Sequence, residues 1–109
     1  MALVAPLNID VQDEGTGSIR LVLEGDLDLA TAPVLAQRIA DACQANPAEI
    51  LLDFTGVTFC DSSGIRECIL ASERCAASGT RMKMVGAGEQ VRRVFEIVGL
   101  TERFEWVSA

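Results

Sequence analysis

The segment ILLDFTGVTFCDSSGI, residues 50–65, joins an apolar run to the start of a helix. Its first five residues, ILLDF, form a short and almost continuous apolar run, which is typical of a strand covered on both faces in a parallel sheet. The segment TGVTFCD that follows is predicted to be a loop that connects this strand to the next helix. A helix is predicted to begin at Ser62 or Ser63 and to end at Gly79, because glycine readily adopts the left-handed conformation that closes many helices.

Two alternating runs and a helix precede this segment. Apolar and polar residues alternate over 7–11 and again over 19–23, with the glycine-rich turn DEGTG between them, which indicates a β-hairpin. Thr31 is predicted to cap a helix that has Pro33 in its first turn. This helix is expected to end before Pro47, since proline lacks the backbone N–H that a continuing helix needs.

The pattern of strand followed by helix recurs toward the C-terminus. Residues 82–85 indicate a short strand, apolar residues spaced i, i+3, i+4 and i+7 from Val91 to Val98 indicate a helix, and residues 104–107 suggest a last edge strand. Strands and helices therefore alternate after the hairpin, which favours right-handed crossovers. The predicted fold class is α/β: one domain over residues 1–109, in which helices pack on a mixed, mostly parallel sheet with an N-terminal antiparallel hairpin.

Charge and composition exclude several classes of function. Sixteen acidic and nine basic residues give a net charge of −7, so neither nucleic acid nor a bare membrane surface is an expected partner. The chain has no histidine, which excludes a Ser-His-Asp site and histidine-ligated metals. The first residues do not resemble a signal peptide, and no run approaches the roughly 20 apolar residues of a membrane span. We expect a cytoplasmic protein that is not an enzyme and uses no cofactor.

The four cysteines are Cys43, Cys60, Cys68 and Cys75, and their spacing fits neither a zinc ribbon nor a C-x-x-C redox pair. We expect buried thiols that pack as small apolar residues. Cys60 is the exception, because it borders the DSSG turn and is expected to be partly accessible. A redox-sensing role for Cys60 is the alternative interpretation.

Acidic side chains follow the predicted strands. Asp26, Asp28 and Asp61 are expected to lie beyond the carboxyl ends of strands, where open α/β sheets place their functional crevices. Because the ends of neighbouring parallel strands meet at one edge, these acids should lie close together. With Asp53 they are also the ligand type that hard divalent cations prefer, but no ligand loop of known spacing accompanies them. The sequence therefore predicts no metal site.

The DSSG motif places two hydroxyls and an acid at a helix start. Either Asp61 or Ser62 can cap the helix, and Gly64 allows a close approach, but capping needs only one of these side chains. A serine without a histidine is a poor nucleophile, whereas a phosphate-accepting serine relies on the base of its kinase. Phosphorylation would add ~1.5–2 negative charges at this junction. The motif therefore favours a phosphorylation switch at Ser62.

Three motifs together carry a resemblance to a known family. They are GDLDL at 25–29, ILLDFTGVTFCDSSGI at 50–65 and VRRVFEIVGLTERF at 91–104, and with their spacing they cover essentially the whole chain. In these motifs the chain resembles the STAS domain in its stand-alone form, the anti-sigma factor antagonists of bacteria. The resemblance implies a STAS-like mixed sheet with helices packed on it, as the residue pattern also predicts.

The resemblance further implies a mechanism called partner switching. In that family, the unphosphorylated antagonist binds an anti-sigma factor, which often doubles as a serine kinase, and a sigma factor is released. Phosphorylation by the kinase breaks the complex, and a serine phosphatase resets it. Carried onto this sequence, the phosphorylated residue is Ser62, with Ser63 the less favoured acceptor, and Asp61 positions the acceptor.

The expected partner-binding surface surrounds that serine. The acidic loop of the family falls on Asp26 and Asp28, and Leu70 is apolar although it lies off the buried stripe of its helix. The predicted partner-binding residues are Asp26, Asp28, Asp61, Ser62, Ser63, Gly64, Arg66 and Leu70.

Two other interpretations are open at this point. A STAS protein can serve another client, as the regulatory subunit of a transporter or of a stress-signalling assembly without a sigma factor. An enzyme would need a substrate pocket with perturbed carboxylates or a thiolate, and the sequence offers no matched pair of such groups. The first of these is the alternative to the antagonist role.

Overall fold

The computed structural model describes residues 7–108, and in this part of the chain five strands alternate with three α-helices after an initial hairpin. A single turn of 3-10 helix precedes the last strand. The elements are β1 (Asn8–Asp13), β2 (Ser18–Leu27), α1 (Ala32–Gln44), β3 (Glu49–Cys60), α2 (Ser62–Ala77), β4 (Arg81–Val85), α3 (Glu89–Ile97) and β5 (Glu105–Val107). None of these helices is long and apolar enough to cross a membrane.

The five strands form one sheet in the order β1-β2-β3-β4-β5. Strand β1 pairs antiparallel with β2, and the other neighbours pair in parallel. The predicted hairpin and mostly parallel sheet are therefore confirmed. Each crossover steps to the next strand in the same direction, so right-handed connections place the helices on one face of the sheet.

The core lies between the helices and that face of the sheet. Buried side chains alternate with more exposed ones along the central strands β2 and β3, and those facing the helices include Leu21, Leu23, Ile50, Leu52 and Phe54. The prediction that β3 is covered on both faces is wrong. Its residues Leu51 and Asp53 point to the opposite face and are only half-buried, because every crossover helix lies on the other side.

Ion pairs occupy this open face. Arg20 on β2 lies 2.8 Å from the carboxylate of Asp53, and Lys83 on β4 lies 2.7 Å from that of Glu49. Burial acts to raise the pKa of Asp53, but hydrogen bonds from Thr55 and the ion pair with Arg20 outweigh it and hold that pKa below its ordinary value. The hydrogen bond from Lys83 likewise lowers the pKa of Glu49.

These lowered pKa values predict a loss of stability in acid. A carboxyl group whose folded-state pKa is depressed contributes stability above its unfolded pKa of about 4, and this contribution is lost as the pH falls through the folded-state pKa. We expect Asp53→Asn to lower the free energy of unfolding by about 1 kcal/mol at pH 7 and by much less at pH 3. Urea denaturation at both pH values measures this difference. Equal losses at the two pH values would contradict the assignment.

Strands β2 and β3 are longer than predicted. The segment TGVTFCD was expected to be a connection, but β3 continues through it to Cys60, and β2 continues through Asp26 to Leu27. Register shifts between Val22 and Glu24 and between Gly25 and Asp26 allow the pairing to continue. These irregularities break the period-two alternation, and the sequence pattern therefore did not indicate strand there.

The predicted helix starts and ends largely agree with the structure. Thr31 is the capping residue of α1, with Pro33 in the first turn as predicted, but the Thr31 side chain makes no capping hydrogen bond. Helix α2 begins at Ser62, and Gly79 follows its end with a φ of 74°, in the left-handed region that favours glycine.

Helix α3 is held by an aromatic cluster. The ring of Phe95 meets the ring of Phe104 edge-on, with the centroids 5.4 Å apart, and that of Trp106 with the centroids 5.2 Å apart. The cluster joins α3 to β5, and the predicted last edge strand is confirmed. Val98 was predicted to belong to this helix, but α3 ends at Ile97, and Val98 is 48% exposed.

Candidate functional site

The three acids predicted to lie together are all found at the end of the sheet where strands β2 and β3 terminate, which is called the carboxyl edge of the sheet. Asp26 pairs in register with Phe59 on β3, and Leu27 pairs with Cys60. The backbone N–H of Asp61 then donates to the carbonyl oxygen of Leu27 over 3.2 Å. The end of β2 therefore lies directly beside the start of α2. Asp26 belongs to β2 and not to a loop, since the pairing with β3 extends to Leu27.

Asp61 caps helix α2. Its backbone is extended, and its Oδ1 accepts the backbone N–H groups of Ser63, at 2.9 Å, and of Gly64, at 3.1 Å. Of the two capping residues considered, Asp61 therefore has this role, which leaves the hydroxyl of Ser62 free of it. Ser62 is the first helical residue and is exposed, whereas Ser63 is half-buried.

Gly64 is buried where α2 approaches the ends of β2 and β3. A Cβ atom at this position would come within 2.8 Å of three atoms: the Cys60 sulfur, the Leu27 Cγ and the Leu27 carbonyl oxygen. Contacts this short do not occur for real Cβ atoms, so only glycine allows α2 to start here without displacement. The burial of Gly64 contradicts a direct contact with a partner; the residue instead positions the first turn that carries Ser62.

Two threonines hold the acidic segment around Asp26 and Asp28. The Thr58 hydroxyl donates to Asp26 Oδ1 over 2.9 Å, and the buried Thr31 hydroxyl donates to the Asp26 carbonyl oxygen over 2.8 Å. Asp28 Oδ1 accepts the backbone N–H groups of Ala30 and Thr31. The Asp28 side chain therefore orders the turn that precedes α1, and the Asp28 carbonyl oxygen accepts the N–H of Ala32, the first residue of the helix, over 2.8 Å. The Asp26 carboxylate faces solvent.

Arg66 and Leu70 extend the surface along α2. They follow Ser62 at intervals of four residues, which places all three on one side of the helix. Both are exposed, and the exposed fraction of Leu70 is 44%. At 1.5 Å per residue, Leu70 lies roughly 12 Å along the axis from Ser62. The structure thus brings the predicted residues of α2 together with the acids, apart from the buried Gly64.

Cys60 is not partly accessible, and that expectation is wrong. Its side chain is buried at 4% exposure, because the end of β3 is covered by the start of α2. Burial, together with the negative charge of Asp61, raises the pKa of the Cys60 thiol to about 12. Such a thiol carries almost no thiolate at neutral pH, which removes the physical basis for a redox sensor. Cys43, Cys68 and Cys75 are buried as well, as predicted.

The four aspartates considered as cation ligands do not form a metal site. Within residues 7–108, no three acidic or cysteine side chains are grouped so as to hold a metal ion. Asp53 lies on the open face of the sheet, paired with Arg20, and the other three lie at the edge near Ser62.

The sequence reasoning missed three residues around this site. Thr31 and Thr58 hold the acidic segment, and Phe59 exposes 51% of its surface beside Asp26. Thr58 and Phe59 were missed because the segment TGVTFCD was predicted to be a connection and not a strand. Their β-branched and aromatic character was the available indication that the strand continued through them.

Comparisons with known proteins match nearly the whole chain. A family model described as "Mlab, STAS domain" matches residues 11–107. The chain is similar to the anti-sigma-F factor antagonist RsfB of Mycobacterium tuberculosis, with 28% identity over 102 residues that cover 94% of this chain and 82% of that protein.

Solved structures show the same architecture. The crystal structure of an anti-sigma factor antagonist from Mycobacterium paratuberculosis matches with a TM-score of 0.83 at 26% identity, covering 95% of this chain and 89% of that one. The Bacillus protein SpoIIAA has been solved in an unphosphorylated and a phosphorylated form. Its unphosphorylated form matches in fold with a TM-score of 0.79 at 21% identity, covering 94% of this chain and 88% of that one.

Proposed function

The chain belongs to the STAS domain family, and on that premise we propose that it is an anti-sigma factor antagonist controlled by phosphorylation of Ser62. The unphosphorylated chain binds an anti-sigma factor of the serine kinase type in the cytoplasm, and a sigma factor is released. The kinase phosphorylates Ser62 and the complex separates. A serine phosphatase restores the binding form.

The observation that carries this proposal is the exposed Ser62 beside three carboxylates. Asp61 caps α2, so the Ser62 hydroxyl is not needed for the helix, and it lies at an edge that also carries Asp26 and Asp28. The named relatives support the general role, since the similar M. tuberculosis protein is an anti-sigma-F factor antagonist. SpoIIAA, which shares the fold, exists in a phosphorylated form.

Ser62 is a better acceptor than Ser63 for a geometric reason. Ser62 is exposed at the first helical position, where a kinase can reach its hydroxyl without moving the helix. Ser63 is half-buried, and its backbone N–H is held by Asp61. The Ser63 hydroxyl is therefore less accessible to a kinase than that of Ser62.

The electrostatics of this edge suit a switch. A phosphate on Ser62 gains ~0.3–1 kcal/mol from the N-terminus of α2, while each unit charge ~4 Å away costs it ~1 kcal/mol in water and ~4 kcal/mol at an effective dielectric of 20. A docked partner excludes water and moves the site toward the second value. The free chain therefore tolerates the phosphate, and the complex does not.

Reconstitution tests the proposed function directly. The unphosphorylated chain, added to a purified complex of a sigma factor with an anti-sigma factor of the serine kinase type, is expected to release the sigma factor. ATP is then expected to reverse this release, with one phosphate found on Ser62 by peptide mass spectrometry. Gel filtration follows both steps. No release, or a phosphate on Thr55 or Thr58, would refute the proposal.

A further inference from the structure

Phe59 is an exposed aromatic residue that lies next to the candidate site. It lies on β3 in register with Asp26, and 51% of its surface is exposed, although its neighbour Cys60 is buried. Single exposed apolar residues are common on protein surfaces. Phe59 therefore needs a second feature before it indicates an interaction.

That feature is a small cavity between the end of β3 and helix α3. Thr58, Phe59 and Cys60 form one wall, and residues of α3 form the other, with a volume of about 230 Å³. Pockets for small molecules usually measure roughly 300–1,000 Å³, so this cavity is too small for such a ligand. It is suited to one apolar side chain. The residues of α3 that line it are Gln90, Val91 and Val94.

Beyond the cavity, the side of α3 that carries Val94 and Ile97 also carries the exposed Arg93. Gln90, Val94 and Ile97 are spaced i, i+4 and i+7, so they share one side of the helix. Ile97 is 76% exposed, and Val94 is half-buried. Phe59, Val94 and Ile97 are called the α3 strip below. The strip begins next to Asp26 and leads away from it.

Charge indicates what would cover the end of this strip that lies next to Asp26. Thr58 lines the cavity and also donates a hydrogen bond to Asp26 Oδ1, so an apolar recess and an exposed carboxylate share a wall. The chain carries a net charge of −7, and Asp28 and Asp61 lie at the same edge. A complementary occupant presents an apolar side chain next to a basic one. Buried apolar anchors in such recesses dominate the binding energy of many interfaces.

We propose that the anti-sigma factor inserts one apolar side chain, flanked by a lysine or arginine, between Phe59 and Val94, so that its footprint extends from Ser62 across the end of β3 onto the α3 strip. This inference rests on the proposed function. It adds helix α3 to an interface that the DSSG motif alone would confine to the start of α2. The basic neighbour pairs with Asp26, whose carboxylate Thr58 already orients.

Binding measurements with four variants test the inference. The probe is a purified anti-sigma factor of the serine kinase type, without ATP, titrated calorimetrically with the unphosphorylated native chain and with Phe59→Ala, Ile97→Ser, Ser62→Asp and Val11→Ser. We expect Phe59→Ala to weaken binding at least 10-fold, about 1.4 kcal/mol, and Ile97→Ser to weaken it about 5-fold. Val11 is the matched control, because it is 52% exposed on β1, at the opposite end of the sheet from α3, and its variant should bind within 2-fold.

The outcomes separate this inference from the proposed function. Thermal unfolding of each variant shows whether it is folded, and Ile97→Ser tests the strip even if Phe59→Ala is unstable, since Ile97 contributes little to the core. If Ser62→Asp loses binding while both strip variants bind like the native chain, the inference is overturned and the proposed function stands. If the native chain does not bind, the proposed function fails and the inference fails with it. Equal losses in the strip variants and in Val11→Ser would also overturn it.

Discussion

The substitution Ser62→Asp is expected to weaken binding to the anti-sigma factor at least 100-fold, about 2.7 kcal/mol, while changing the free energy of unfolding by less than about 1 kcal/mol. The two effects differ because the new carboxylate lies at the first position of α2, where the helix dipole favours negative charge in the free chain. In the complex the same charge is buried beside Asp26 and Asp61, without a positively charged group to pair with it. A buried unpaired charge costs several kcal/mol.

Two companion variants make this expectation specific. Ser62→Ala removes the hydroxyl without adding charge, and we expect it to bind as the native chain does and to stay bound when ATP is present. Ser78→Asp adds the same charge to the other end of α2, where Ser78 is exposed, and should bind within about 2-fold of the native chain. Calorimetric titration gives the affinities and urea denaturation the stabilities. Comparable weakening by Ser62→Asp and Ser78→Asp would indicate general repulsion and not a switch at Ser62.

The substitution Gly64→Ala is expected to lower the free energy of unfolding by about 2 kcal/mol, although alanine is normally the better helix former by ~1 kcal/mol. The reason is that the new Cβ would lie 2.8 Å from the Leu27 carbonyl oxygen, which is backbone and cannot rotate away. The first turn of α2 would have to move from the ends of β2 and β3, and the hydrogen bond between the Asp61 N–H and Leu27 would be strained.

Gly88→Ala is the control for this prediction. A Cβ at Gly88 meets no atom within 4 Å, and its φ is in the ordinary negative range, so the variant should lose less than about 1 kcal/mol. Combining Gly64→Ala with Cys60→Ala removes one of the three close contacts, and the combined loss should be smaller than the sum of the single losses. Urea denaturation of the native chain, the three single variants and the double variant measures these terms. A native-like stability for Gly64→Ala would show that α2 can shift without cost.

The order of the elements could be predicted because each short segment carries its own periodicity. The alternation before and after DEGTG, the i, i+3, i+4 spacing from Val91 and the glycine after α2 depend only on local sequence. Coverage of the sheet depends on the order in which strands pair. Leu51 was therefore expected to be buried, although the crossover helices α1, α2 and α3 lie on the other side of β3.

The far half of β3 was missed for a different reason. Gly56 interrupts the apolar run, and glycine normally weakens a strand. In the structure it is needed, since a Cβ there would come within 2.9 Å of the Leu23 carbonyl oxygen and of the Glu24 side chain on the neighbouring strand. A close approach between strands that are distant in sequence is not visible in local periodicity. The same limitation concealed the burial of Cys60 and the exposure of Phe59.

The convergence of Asp26, Asp28 and Asp61 on one edge also has a kinetic consequence. Their combined field acts on an approaching basic protein before any contact forms, which accelerates productive encounters. The field decays over about 10 Å at 0.1 M ionic strength and about 3 Å at 1 M. The association rate constant should therefore fall steeply as salt is added, whereas dissociation, which is governed by contacts already made, should change far less.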